Sequence, residues 1–216
     1  MSIVGANLGT MRESIKQWSQ RKSIPDAVLN DFINIAVTRA TRALRIPPME
    51  KSLSQLVDAD GYFEIPSDFI EVIEVVSVRS DKNIILERKA IHEVDYMNNL
   101  SPGCPKFFAR YKGSFRIGPY DSPAYDVPED QDVVELYYYA TFAALTDDAD
   151  CNWLISNAGD MILYGAMSEL ASYTRDDEGE QRWTAKYSQE VQLLQGIEDR
   201  SAWQGGTLGI SIAGSH

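Results

Sequence analysis

The chain has 216 residues, of which 44% are hydrophobic, 24% charged and 10% aromatic, and its net charge is −12. A chain of this length hides about 70% of its extended surface on folding, which excludes disorder as the main state and suits one two-lobed domain or two small ones. No apolar run reaches the length a bilayer span requires, and the start MSIVGANLGTMRESIK lacks a basic-then-apolar export signal, which points to a cytosol-like compartment.

Residues 10–21 and 25–45 read as two helices. Ser23-Ile24-Pro25-Asp26 offers the second helix an N-cap hydroxyl, a first-turn proline and an acid near the positive helix end. Val28, Phe32, Ile35 and Ala36 recur at helical spacing, with Leu29, Ile33, Ala40 and Leu44 widening the apolar face, and Pro47-Pro48 stops the helix. Arg39, Arg42 and Arg45 form a basic stripe at three-residue spacing; a solvated face and a docking face for an acidic neighbour both account for it.

From about 54 to 142 the period switches to two. Gln55 to Val57, a turn at Asp58-Ala59-Asp60-Gly61, and Tyr62 to Pro66 read as strand, turn, strand. Ile70 to Arg79 is apolar on both faces and is predicted to be central; Ser80 to Asn83 turns it into Ile84 to Glu87. After a short helix near 91–99, Lys106 to Tyr111 and Ser114 to Tyr120 form a hairpin around Lys112-Gly113, and Asp132 to Phe142 closes the sheet. Helical spacing returns at the N-cap Asn152 and runs to Tyr173; a charged corner, Arg175 to Glu180, then precedes a last helix over about 178–202 with a stripe of Trp183, Tyr187, Val191 and Leu194.

This order predicts an α+β fold: a four-helix bundle formed by both chain ends with an inserted antiparallel β domain. The corresponding parts are bundle helices in 1–53, the β domain over 54–145, bundle helices in 146–203 and an extended docking tail over 204–216. In that tail Leu208, Ile210 and Ile212 alternate as in a strand with one apolar face, so it reads either as a frayed end or as a segment that joins another chain's sheet or groove.

Common catalytic signatures are absent: there is no HExxH, GxSxG, GxxxxGK[ST] or GxGxxG. Cys104 and Cys151 are too few for a cysteine metal site or a disulfide framework and read as reduced, partly buried thiols. His92 and His216 lie far apart, and His92 reads as structural or solvated. The acids Asp147, Asp148 and Asp150, and Asp176, Asp177, Glu178 and Glu180, sit where they stabilise helix N-termini, which explains them without a metal or acid-base role. Tyr138 alternates with Val134, Leu136, Ala140 and Phe142 as core, while Tyr137 and Tyr139 face the other way as a covered face or an interface patch. No cofactor or catalytic residue is implied. Charge is uneven: residues 1–120 hold 16 basic and 14 acidic side chains, whereas 121–216 hold 4 basic and 18 acidic. The second stretch repels phosphate, which disfavours DNA reading but not a surface that DNA slides past.

Five segments in order, RATRALRIPPME (39–50), DGYFEIPSDFIEV (60–72), PKFFARYKGSFRIGP (105–119), the run from Glu135 to Glu178 and the following helix with Trp183 and Tyr187, resemble tailed-phage head-to-tail adaptor proteins. These are the connectors of short-tailed phages, including tail tubular protein A-like members. The acidic loop 121–132 and the isoleucine-bearing tail depart from the pattern. The resemblance implies a non-enzymatic virion protein at the head–tail junction, a ring of about twelve copies beneath the portal protein that receives the tail tube or nozzle protein and surrounds passing double-stranded DNA, with no membrane partner. It further implies that Trp203, Leu208, Ile210 and Ile212 contact the portal, and it makes Arg39, Arg42 and Arg45 candidates to meet Asp176, Asp177 and Glu178 of a ring neighbour. The alternative from the residues alone is a carbohydrate- or protein-binding module of a phage tail, built on the β domain and its tyrosines.

Overall fold

A computed structural model describes residues 6–21, 23–79, 82–100, 103–120 and 133–203. The fold is α+β, with six α-helices and two four-stranded sheets among these residues. The chain divides into two units, one of Met1–Pro48 with Phe142–His216 and one of Met49–Thr141. The first unit therefore draws its helices from both chain ends.

In the helical unit, α1 (Leu8–Ser19) starts at Asn7, whose side chain accepts from the Thr10 N–H at 2.9 Å while the Thr10 hydroxyl accepts from the Asn7 N–H at 3.0 Å. This reciprocal box satisfies two helix-end donors. Helix α2 (Asp26–Ala43) begins at Pro25 with no side-chain cap, so the Ser23 hydroxyl does not play the expected role. Its buried face is Leu29, Phe32, Ile33, Ala36, Val37 and Ala40, while Ile35 is exposed; the face centres on the flanking set rather than on the expected first stripe.

The expected single helix from Asn152 to Tyr173 is broken. Asn152 caps α4 (Trp153–Asn157), accepting from Ile155 N–H at 3.0 Å; Ala158 leaves helical geometry; and α5 (Gly159–Tyr173) follows. Helix α5 is apolar on most of its surface and buries ten residues, since it packs against α1, α2, α4 and the last helix, α6 (Asp177–Trp203). Helix α6 keeps the expected stripe of Trp183, Tyr187, Val191 and Leu194, but these are only half-buried because its described contacts fall mainly on α5. Phe142 belongs to this unit, stacked on Trp153 with ring centroids 6.3 Å apart, rather than to the β core where alternation put it.

The β unit contains β1 (Glu50–Leu56), β2 (Tyr62–Glu64), β3 (Phe69–Arg79), β4 (Lys82–Ile85), β5 (Glu87–Arg88), α3 (Ile91–Leu100), β6 (Phe107–Tyr111), β7 (Ser114–Gly118) and β8 (Val133–Ala140). The strands form two sheets, β1-β8-β3-β4 and β2-β7-β6-β5. Strand β3 is interior, as its two-sided apolar pattern requires. The strand, turn, strand expected over Gln55 to Pro66 forms, with β1 and β2 in different sheets. Two expectations are corrected: β8 is interior, between β1 and β3, instead of closing the sheet; and β5 pairs with β6 in parallel, so the unit is mixed rather than wholly antiparallel. The two sheets share a core of Phe63, Val75, Phe108, Phe115, Ile117, Val134, Leu136 and Tyr138. Helix α3 covers β6 and β7, tied down by the Arg116–Asp95 ion pair and by Asn98 donating to the Ile117 carbonyl at 3.1 Å.

Candidate functional site

The basic stripe on α2 is partly consumed within the chain. Arg39 forms an ion pair with Glu169 of α5, and Arg45 Nη1 donates to the Leu44 carbonyl at 2.6 Å. The Arg45 backbone is clasped by Gln195 of α6, which accepts from its N–H at 2.9 Å and donates to its carbonyl at 3.2 Å. Arg42 is exposed, and its guanidinium has no described partner. The stripe thus staples α2 to α5 and α6 while presenting one cation outward.

The acidic corner before α6 is first a cap. Asp176 Oδ1 accepts from the Gly179 N–H at 3.0 Å, as an N-cap aspartate does at the third helical position, and Asp177 and Glu178 follow exposed in the first turn, where the helix dipole favours them. The structure does not bring this corner into contact with Arg39, Arg42 or Arg45 of the same chain, as far as its described ion pairs extend.

The first acidic cluster is likewise built into the fold. Asp150 Oδ2 accepts from the backbone N–H groups of Thr146 and Asp147, both at 2.8 Å, and those bonds hold its carboxyl below its ordinary pKa. Asp148 binds the nearly buried Arg12 guanidinium at 2.6 Å, and Lys16 holds Asp26 at 2.8 Å. No group of three or more His, Cys, Asp or Glu among the described residues is arranged to hold a metal ion.

Tyr138 lies in the core as alternation predicts, its hydroxyl donating to Asp68 at 3.0 Å; burial first, and that bond second, push its pKa up to about 12. Tyr137 faces out and donates to Glu135 at 2.8 Å. His92 is exposed, and so are Cys104 and Cys151, which corrects the expectation of partly buried thiols.

Trp203 is the last residue of α6, whose backbone alone is described there. Leu208, Ile210, Ile212, His216 and the acidic loop 121–132 lie outside the described residues. The sequence reading missed an aromatic cluster, Trp18 of α1 with Tyr164 of α5 and Trp183 of α6, whose ring centroids lie 5.8 to 6.2 Å apart. Lys186 rides 4.8 Å above the Trp183 ring. Only Trp183 had been placed on an apolar stripe; the other two come from separate helices, and nothing in their local spacing links them.

A family model described as SU10 adaptor protein matches residues 6–209, nearly the whole chain. The chain belongs to the SU10 adaptor protein family. The protein is therefore a phage adaptor, a structural virion component of the head–tail junction. No helix among its described residues is long and apolar enough to cross a membrane. No curated protein matches the adaptor significantly.

Proposed function

We propose that this adaptor forms a ring of about twelve copies beneath the portal protein of a short-tailed phage, joins the capsid to the tail tube or nozzle protein in the manner of tail tubular protein A, and lines the DNA channel. The observation that carries the reading is the family match over residues 6–209. In this reading α1, α2, α5 and α6 act as a four-helix bundle around the channel. The excess of acid over base in residues 121–216 then keeps that wall from adhering to passing double-stranded DNA, because a surface of the same sign as phosphate gains nothing by counterion release.

The C-terminal segment is the portal-binding element in this scheme. Trp203, Leu208, Ile210 and Ile212 supply an alternating apolar face, and β-strand addition or insertion into a groove is how such a segment gains affinity. Between ring neighbours, Arg42 is the cation of the stripe that remains for an acidic partner, with Asp177 and Glu178 of the adjacent copy as its proposed counterpart. Arg39, engaged by Glu169, and Asp176, engaged as a cap, contribute to that contact by holding their own helices in place.

Deleting residues 205–216 tests the portal contact. The truncated chain is expected to melt as the full chain does and to lose portal binding in a pull-down; unchanged binding would remove the segment from the mechanism.

A further inference from the structure

The sheet β1-β8-β3-β4 has four strands, each antiparallel to its neighbour. An even number of alternating strands leaves the two outer strands, β1 and β4, running in opposite directions. The free edge of β4 in one copy, laid against the free edge of β1 in a second copy, therefore makes one more antiparallel pair. Such a contact uses two different surfaces, repeats from copy to copy, and generates a ring when the rotation per step closes.

The side chains at the two edges match. Ile85 faces Val76, Val76 faces Glu135 and Glu135 faces Ser54, so these four form one row across the sheet; Asn83, Val78, Val133 and Leu56 form the next. Two residues along each strand separate the rows, so both lie on the same face. On it Ile85 is 67% exposed and Leu56 59% exposed, at opposite edges but at the same end of the sheet. Continuing the first row from Ile85 into Ser54 of the next copy sets Ile85 diagonally beside that copy's Leu56, within side-chain reach.

Strands that stay solitary are blunted by lysine, proline or inward charge. The charges of the two edges stand at their first residues, Glu50 and Lys51 of β1 and Lys82 of β4, which leaves the stretches Ser52 to Leu56 and Asn83 to Ile85 without charge or proline. β1 is exposed along almost its whole length.

We infer that the free edges of β1 and β4 pair between adjacent copies, Ser54 opposite Ile85, so that the four-stranded sheets join side by side around the ring. The inference rests on the ring reading above. A pairing this short, with one aliphatic contact, covers far less than the roughly 1,200 Å² that a stand-alone complex buries, so it joins copies that the portal already holds together.

The test uses the full-length chain carrying Cys104→Ser and Cys151→Ser, with Ser54→Cys and Ile85→Cys added singly or together. All four positions are exposed, and melting of each variant is checked against the parent. On portal-bound protein, oxidation of the double variant is expected to give a ladder of dimers, trimers and larger species. Each single variant is expected to give none, and an equal mixture of the two single variants dimers only. Dimers from Ser54→Cys alone would show β1 facing β1 and overturn the inference, as would a double variant that stays monomeric on a denaturing gel. The same ladder is expected without portal at high protein concentration, where the covalent bond captures transient pairs. Portal binding of the parent chain is scored in parallel, so failure of the adaptor reading and failure of the edge pairing are read separately.

Discussion

Gly165 shows how tightly the helical unit is drawn together. A Cβ there would lie 2.8 Å from Ala36 Cβ of α2 and 3.0 Å from the Tyr187 ring of α6, so the bare backbone of α5 is what lets both neighbours close in. Gly165→Ala gains about 1 kcal/mol of helix propensity, but overpacking a filled site costs about 1–3 kcal/mol. Net destabilisation of about 1 kcal/mol is expected, read as a lower urea midpoint with an unchanged slope. Tyr187 itself is pushed up to about 12 by burial, slightly opposed by Arg39, and Tyr138 reaches the same value. A phenol whose folded pKa lies above its unfolded value stabilises fully below the unfolded value near 10 and loses that contribution as pH rises toward 12. The adaptor should accordingly lose thermal stability between these limits, and Tyr187→Phe should flatten part of the loss. At acid pH the sign reverses. Asp26 is held below its ordinary pKa by the Lys16 hydrogen bond, against some desolvation; for Asp68 burial is the largest single influence and pushes upward, but the bonds from Lys51 and Tyr138 together outweigh it and hold the carboxyl low. Both contributions are present above the ordinary carboxylate range and disappear as pH falls through the lowered values, so a falling melting temperature below about pH 4 is expected.

At the scale of elements, strand alternation and the Asn152 cap were legible, whereas partner strands and the break between α4 and α5 were not. The alternation of β8 placed Val134, Leu136, Tyr138 and Ala140 in the core because a period of two depends only on the strand's own residues. Which strand lies beside it depends on chain segments far away: β8 joins β1 and β3, an order that no turn signal encodes, so the strand expected to close the sheet lies inside it. The break at Ala158 was missed for a similar reason, since the apolar residues on either side keep helical spacing. Of the candidate site, the role of acids at helix N-termini was readable from position alone, whereas the Arg39–Glu169 pair and the Trp18–Tyr164–Trp183 cluster arise from tertiary packing. The cap assignment predicts a cost: Asp176→Ala should destabilise the adaptor by about 0.5–2 kcal/mol, measured by denaturant unfolding, with Asp176→Asn or Asp176→Ser restoring most of it. Asp177→Ala, which removes no described hydrogen bond, should cost far less.

For the molecule as a whole, a chain with a family match from residue 6 to 209 and two units, one helical from both chain ends and one of paired sheets, is a part built to contact other proteins. Its stretch 121–216 is strongly acidic and Arg42 is exposed, and the proposed ring would use the first as its wall and the second between copies. Arg42→Glu is expected to weaken ring assembly while leaving the melting temperature close to that of the parent, because the side chain is exposed and the substitution sits on the surface. The most direct measurement is electron microscopy of the full-length protein mixed with purified portal from the same phage. The account predicts a closed ring of this chain seated on one face of the portal, with its helical unit toward the axis. A protein that stays monomeric beside bare portal rings at saturating concentration would contradict it.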